Sequence, residues 1–441
     1  MKRALAALLV LLLVMPPAAL AGGSNAYQQT NLVSDMAGVA AHTDAQLVNP
    51  WGIAFFPGAP FWVADNNAGV STLYDANGNK QALVVAIPTA SGGAGGTPTG
   101  IVTNSTGKFG GYVFIFDTED GAIVGWKSGT AGVGTATRAS AVYKGLAMIT
   151  NAGAPFLLAT NFNSGSVDVY DGNFQPVTLA GNFTDPTLPA GYAPFGIHVI
   201  GGNVYVTYAK QDAAKHDPVT GKGLGYVSVF DGNGNFLSRF ASAGMLNAPW
   251  GVVRAPASGF GLFSGALLVG NFGGGAINAY NAMTGKSLGM MKNEKGKALN
   301  NSGLWDMVFG AGGTGSPTTL YLAAGIFHES HGLFASVSVV PVSLLPVTMK
   351  FSAPVNTTSA AKVATLANNT SSSISISSVA VSDTHFVITS NTCGASLAAG
   401  ATCKISVAFA PTAVGTVSGT LSVADSGAGS PQKVALTGTG T

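Results

Sequence analysis

Charge is scarce in this chain. Only 9% of its 441 residues are Asp, Glu, Lys or Arg, and their formal balance is +2. That excludes the basic surface a nucleic-acid binder needs and gives no electrostatic patch for a membrane. Cysteine is scarcer still, with Cys393 and Cys403 alone. Neither a P-loop nor a C-x-x-C-H haem site is present, which removes the sequence signatures of two cofactor classes. Beyond the first residues no apolar run approaches the ~20 residues of a spanning helix. Long helical periodicity is missing there too.

The N-terminus carries an export pattern. Lys2 and Arg3 precede an apolar stretch, Ala4 to Val14, and Ala19-Leu20-Ala21 offers a small-residue cleavage site. Pro16-Pro17 breaks the run, which argues against an anchor. Residues 1–21 are therefore predicted to be a signal peptide, leaving no transmembrane segment after cleavage. In an exported protein the two cysteines read as one disulfide, Cys393–Cys403. Closing so short a loop contributes roughly 2–3 kcal/mol on chain entropy.

What the chain has in abundance is Gly, 61 residues, and a repeat. Six units open on an apolar step, four of them aromatic: Trp51-Gly52-Ile53, Thr99-Gly100-Ile101, Gly145-Leu146, Phe195-Gly196-Ile197, Trp250-Gly251-Val252 and Leu304-Trp305. In five units a polar residue then stands four positions before a second Gly: Asp65, Asp117, Asn161, Asn271 and His328. Alternating strands such as Val167-Asp168-Val169-Tyr170 end in Asp-Gly-Asn turns. A repeat of about 40–50 residues built from short strands predicts a β-propeller. The all-β expectation is a six-bladed propeller over 22–341, a linker at 342–346, and an immunoglobulin-like β-sandwich over 347–441. Thr30 to Ser34 is expected to close the ring beside Phe334 to Val339.

The C-terminal part resembles the Ig-like domain of hydin and abnormal-spindle proteins, called choice-of-anchor D in bacterial surface proteins. The resemblance is carried by Phe386, Cys393, Leu397, Gly400, Cys403, Ile405, Val407, Phe409, Pro411, Gly415, Gly419 and Leu421, and by Leu436 to Gly440. It implies spacing or adhesion. The N-terminal part resembles an uncharacterised family of exported bacterial six-bladed, NHL-like propellers, some with PEP-CTERM signals. That likeness rests on Thr30 to Asp35, Ala41 to Asp44, Leu47 to Ala54, Tyr143 to Ala147, Lys210 to Asp212, Lys215 to Asp217 and Gly332 to Phe334. It implies a fold and no activity.

In a propeller the loop into the innermost strand, A, and the loop joining B to C lie on one face. That face holds the candidates. The fourth unit breaks the spacing with Lys210 to Leu224, the most charged stretch of the chain, in which Lys210, Asp212, His216 and Asp217 could bind a ligand. Against that stands a merely solvated loop. Trp51, Trp250 and Trp305 could stack a sugar or fill the core between blades. His328, Glu329 and His331 have the residue types of a transition-metal site; the plainer reading is a pair of surface imidazoles. Asp65, Asp117 and Asp306 with Asn161 and Asn271 could hold Ca²⁺ through oxygen, or could serve turns.

The leading functional expectation is an exported binding module acting on an extracellular protein or carbohydrate, periplasmic, at the cell surface or released. One alternative is a metal-dependent hydrolase or lyase on that same face, and another is a structural envelope or matrix protein.

Overall fold

The computed structural model describes residues 25–441. The signal-peptide expectation falls on residues 1–21 and lies outside them. The chain is almost entirely β, with three short 3-10 turns. No helix among the described residues is long and apolar enough to cross a membrane.

Six blades follow one another, each built on four antiparallel strands, with a short fifth strand added in blade 4 (Pro218–Val219) and in blade 6 (His42–Thr43). Their A strands are Pro50–Ala54, Pro98–Thr103, Tyr143–Asn151, Tyr192–Ile200, Pro249–Arg254 and Leu304–Phe309. Each A strand packs against the A strands of both neighbouring blades, and the sixth meets the first, so the ring is closed. Closure uses the N-terminus. Tyr27–Ser34 pairs antiparallel with Leu333–Val339 and becomes the fourth strand of blade 6, with the short strand His42–Thr43 paired parallel beyond it.

The repeated apolar-Gly step now has a physical cause. In every blade the A–B register slips at that step, between Pro50 and Ile53, Pro98 and Ile101, Tyr143 and Leu146, Pro194 and Ile197, Pro249 and Val252, Leu304 and Met307. Each slip is a β-bulge of two residues opposite one. The second bulge residue faces the next blade at van der Waals distance. A Cβ on Gly100 would come within 2.2 Å of the Leu146 amide nitrogen, and one on Gly196 within 2.3 Å of the Trp250 carbonyl oxygen. Glycine is needed there for close approach rather than for conformation. Blade 6 departs from this rule. Asp306 takes the glycine position, and its carboxylate accepts from the Ile53 amide of blade 1 at 2.9 Å, so the last contact of the ring is a hydrogen bond.

The first bulge residues are Trp51, Thr99, Lys144, Phe195, Trp250 and Trp305, one per blade. The aromatic members meet on the propeller axis and plug its upper end, the face on which the A strands begin. Trp51 stacks on Trp305 with ring centroids 3.4 Å apart, and Trp250 meets both edge-on.

Residues 342–441 form a sandwich of two sheets. One orders Val342–Leu345, Lys362–Asn368, Thr402–Phe409 and Phe386–Asn391; the other is built around Gly415–Asp425 and Gln432–Gly440. The stretch 342–346, expected as a linker, is largely strand. Val342–Leu345 pairs with Lys362–Asn368, and Val342 and Leu344 enter the sandwich core, because alternating apolar residues are worth more buried than spanning a gap. The Cys393–Cys403 disulfide is formed.

Candidate functional site

Above the aromatic plug, loops from four blades turn inward over a lysine. Lys144 is the bulge residue of blade 3, where other blades carry an aromatic or a threonine. Its side chain is 1% exposed. The ammonium ion-pairs with Glu119 from the B–C turn of blade 2, and with Asp217 from blade 4 at 3.2 Å. It also stands 5.3 Å from the centre of the Trp51 ring, a cation–π contact. The Trp250 indole N–H donates to the Lys144 carbonyl at 2.6 Å, which fixes the strand beneath.

The charged stretch of the fourth unit is a hairpin. Asn203–Gln211 turns back through Pro218–Val219, with Lys210 paired to Val219. Asp212 closes the tip by accepting from the His216 and Asp217 amides at 2.9 and 3.3 Å. Gln211 ties the hairpin to the Phe162 carbonyl of blade 3 at 2.5 Å. The tip delivers His216 and Asp217 to the axis, with His216 Nδ1 3.0 Å from Asp217 Oδ1. Lys210 itself stays exposed at the base. Burial works to raise the Asp217 carboxyl, but the Lys144 charge and His216 outweigh it and hold it below the ordinary aspartate range.

Blade 6 supplies the opposite wall. Phe327, His328 and Glu329 take φ of 53°, 56° and 65°, three successive non-glycine residues in the left-handed region. Such a turn is strained. It leaves Phe327 59% exposed on the rim and swings Glu329 inward, where it accepts from Asn49 Nδ2 at 3.0 Å. Asn49 is buried, also at positive φ, and its Oδ1 accepts from the Trp305 indole at 3.0 Å. Asn66 of blade 1 donates to Glu119 at 3.0 Å. Burial, with the neighbouring Glu119 and Asp217 charges, pushes the Glu329 carboxyl up, although the Asn49 amide and the Lys144 charge oppose the rise.

One group of three metal-competent side chains is found among the described residues, Glu119, His216 and Asp217, with ligand atoms within 4.8 Å of one another. Two of its carboxylates are already bonded to the Lys144 ammonium. A cation is therefore built into the place where a metal would sit.

The calcium expectation does not assemble. Asp65 Oδ2 accepts from the Thr72 amide and hydroxyl at 3.0 and 2.6 Å. Asn161 Oδ1 accepts from Val142 and Ser164 amides, and Asn271 Oδ1 from the Asn247 amide. Asp117 is one position out of step. Pro98, the residue before the bulge, faces Thr118, so the true counterpart of Asp65 is Thr118, and Asp117 points to the other side of its strand. There it accepts from Thr99 Oγ1 at 2.7 Å and the Gly100 amide at 2.6 Å. Local amide and hydroxyl donors take up the oxygens named here; Asp65 Oδ1 and Asp117 Oδ2 are buried without a hydrogen-bond partner, but the two carboxylates and Asp306 form no metal-competent group among the described residues. The His328-Glu329-Ser330-His331 motif is likewise split. His328 is exposed, Glu329 turns to Asn49, and His331 pairs with Asp35 at 2.7 Å. Trp51, Trp250 and Trp305 are 1–2% exposed and packed on one another, so they leave no face for a sugar. Gly285-Lys286-Ser287-Leu288-Gly289 has the spacing of a nucleophile elbow, but it joins strands C and D of blade 5 with no strand-to-helix turn.

The lower end of the channel is a funnel of about 380 Å³ lined by the A strands, including Ala54, Val102, Met148 and Val308. His198 stands in its wall, with Nε2 3.1 Å from the Trp250 carbonyl and so carrying the proton. Burial pushes this imidazole down to about 4. The folded state holds it neutral while the unfolded chain titrates near 6.5. Its contribution is therefore complete above pH 6.5 and is lost as pH falls to 4. At pH 4.5 the wild type should have lost about 2–3 kcal/mol relative to His198→Gln, referenced to pH 7.5. Urea denaturation of both proteins at the two pH values reads this. Asp117 and Asp306, both pushed up to about 7 by burial, act in the opposite direction but equally in both proteins. A difference that does not change with pH would refute the assignment.

Relatives exist in a giant virus. The uncharacterized protein R648 of Acanthamoeba polyphaga mimivirus is 34% identical over 293 residues, which cover 62% of this chain and 71% of R648. The uncharacterized protein L690 of the same virus is 34% identical over 273 residues, 56% of this chain and 70% of L690. The chain belongs to the family of these two proteins. Its residues 337–433 match the ASH family, described as abnormal spindle-like microcephaly-associated, ASPM-SPD-2-Hydin. Among solved structures, the apo soluble aldose sugar dehydrogenase of Escherichia coli aligns over 71% of this chain and 100% of its own, with 12% identity and a TM-score of 0.45.

Proposed function

We propose that the chain is an exported recognition module that presents the upper face of its propeller to an extracellular protein or carbohydrate, with the ASH sandwich as a spacer. One observation carries this reading: Glu119, His216, Asp217 and Glu329 converge on the axis from three blades, around an internal cation. Convergent polar groups on rigidly held loops are the common mark of a binding site. The buried Lys144 neutralises the carboxylates a metallohydrolase would leave open, which weakens the alternative of metal-dependent hydrolysis or lysis. The disulfide and the N-terminal leader pattern support export, since cytosolic chains rarely keep a disulfide.

The test is a glycan and protein array probed with the wild type and with a Phe327→Ala/Asp217→Ala variant, whose two sites are largely exposed. At least one ligand should be lost in the variant with its melting temperature unchanged. Elemental analysis belongs with it. Ligands retained by the variant would overturn the reading, and so would a stoichiometric metal whose chelation lowers the melting temperature.

A further inference from the structure

We infer a second binding site, for an anionic carbohydrate, in the cleft between the propeller and the sandwich. A cavity of about 650 Å³ opens there. The propeller contributes Asn25, Lys292 and Lys295; the sandwich contributes Val363, Thr365 and Thr402. Thr365 is the register partner of Lys404, so Lys404 stands beside the cavity on the exposed face of the sheet.

Three features point to the ligand. The first is sign. No acidic side chain lines this cavity, in a chain whose cations and anions nearly balance. Glu294 borders only the adjoining cavity of about 420 Å³, whose lining also holds Lys295 and Lys433. The second is that Lys292, Lys295 and Lys404 enter no ion pair among the described residues, so no carboxylate of the chain neutralises the charge they bring to the cleft. The third is the rest of the lining. Thr348, Thr365 and Thr402 offer hydroxyls, and Pro346 and Val363 an apolar patch. Lysines for an acid group, hydroxyls for hydroxyls and a small apolar surface for a ring face describe a sugar bearing a carboxylate or a sulfate. Sites of this kind favour domain boundaries. No residue lining the cleft belongs to the Lys144 cluster, so this site stands or falls independently of the upper face.

The experiment is isothermal titration of the full chain with a hexuronate trisaccharide, a sulfated disaccharide and neutral maltotriose. At least one anionic sugar should bind one to one, and which of the two does so identifies the acid group. Maltotriose should bind at least about tenfold more weakly. The Lys292→Ala/Lys295→Ala variant should weaken the anionic ligand by about tenfold or more, as should raising the salt until screening reaches a few ångströms. Lys286→Ala, outside the cavity, should leave binding unchanged. The changed lysines are exposed, so the fold should survive, and an unaltered melting temperature checks that. No binding of either anionic sugar at about 1 mM, equal binding of maltotriose, or an equal loss in Lys286→Ala would each overturn the site.

Discussion

Lys144→Met should cost about 3 kcal/mol of stability, read as a shift in the urea midpoint at pH 7. The lysine side chain is 1% exposed, and the Glu119 side chain beside it only 14%. Removing the ammonium leaves the Glu119 carboxylate largely desolvated with one remaining donor, Asn66. Breaking a buried pair from one side is the costly direction, because the abandoned charge keeps its desolvation penalty. Asp217 matters less to this sum. Its side chain is 66% exposed and water can replace the lost cation, so Asp217→Asn alone should cost under about 1 kcal/mol. Met keeps most of the apolar stem against Trp51, so lost packing adds little. The diagnostic is the double variant Lys144→Met/Glu119→Gln, which removes both charges and should recover more than half of the loss. A single-variant cost under about 1 kcal/mol would mean that the pair is solvated and does not organise the upper face.

The bulge that places Lys144 was legible in part. The repeated aromatic-Gly step announces six A strands, because close approach of neighbouring blades tolerates only a hydrogen at the second position. Three units disguise it. In blade 6 Asp306 replaces the glycine and closes the ring by a hydrogen bond, while in blade 2 Thr99 and in blade 3 a lysine replace the aromatic. Lys144-Gly145 follows the same rule as Trp51-Gly52, and comparing the units by position would have marked this lysine as the odd member of an aromatic set. The Lys210 to Leu224 insertion and the His328 to His331 loop were visible as breaks in spacing, and His216, Asp217 and Glu329 do reach the axis. Their partners were not visible. Glu119, Asn49 and Asn66 sit in short turns of other blades, and nothing local in the sequence says which turns of a ring face each other across its axis. The calcium set failed for a related reason. Spacing to a glycine counts turn residues as well as strand residues, so a turn one residue shorter in blade 2 put Asp117 in line with Asp65 on paper and on the opposite side of its strand in space.

A chain beginning at Asn49 should lose its cooperative melt. Tyr27–Ser34 supplies the fourth strand of blade 6, and Tyr27, Leu32 and Val33 are all buried. Tyr27 packs against Phe260 and Phe263 of blade 5, and its hydroxyl donates to the Phe260 carbonyl at 3.0 Å. The Ser34 hydroxyl donates to the Gly332 carbonyl at 2.7 Å, and Asp35 just beyond accepts from the Gly332 amide and pairs with His331. At roughly 1.5–3 kcal/mol for each large apolar side chain buried, the three residues alone contribute about 6 kcal/mol. That is comparable to the whole net stability of an ordinary domain. The loss is also topological. Without the strand, Leu333–Val339 becomes an open edge carrying Ala335 and Val337, and blade 6 can no longer be held between its neighbours. An exposed apolar edge of this kind recruits other chains, so aggregation on heating should replace reversible unfolding. Calorimetry and light scattering of the shortened chain read both effects. Adding a peptide of residues 25–43 should restore a cooperative transition, because the strand acts by pairing and not by covalent continuity. A shortened chain that melts within about 2 °C of the full one would show that the ring is held by its A strands alone.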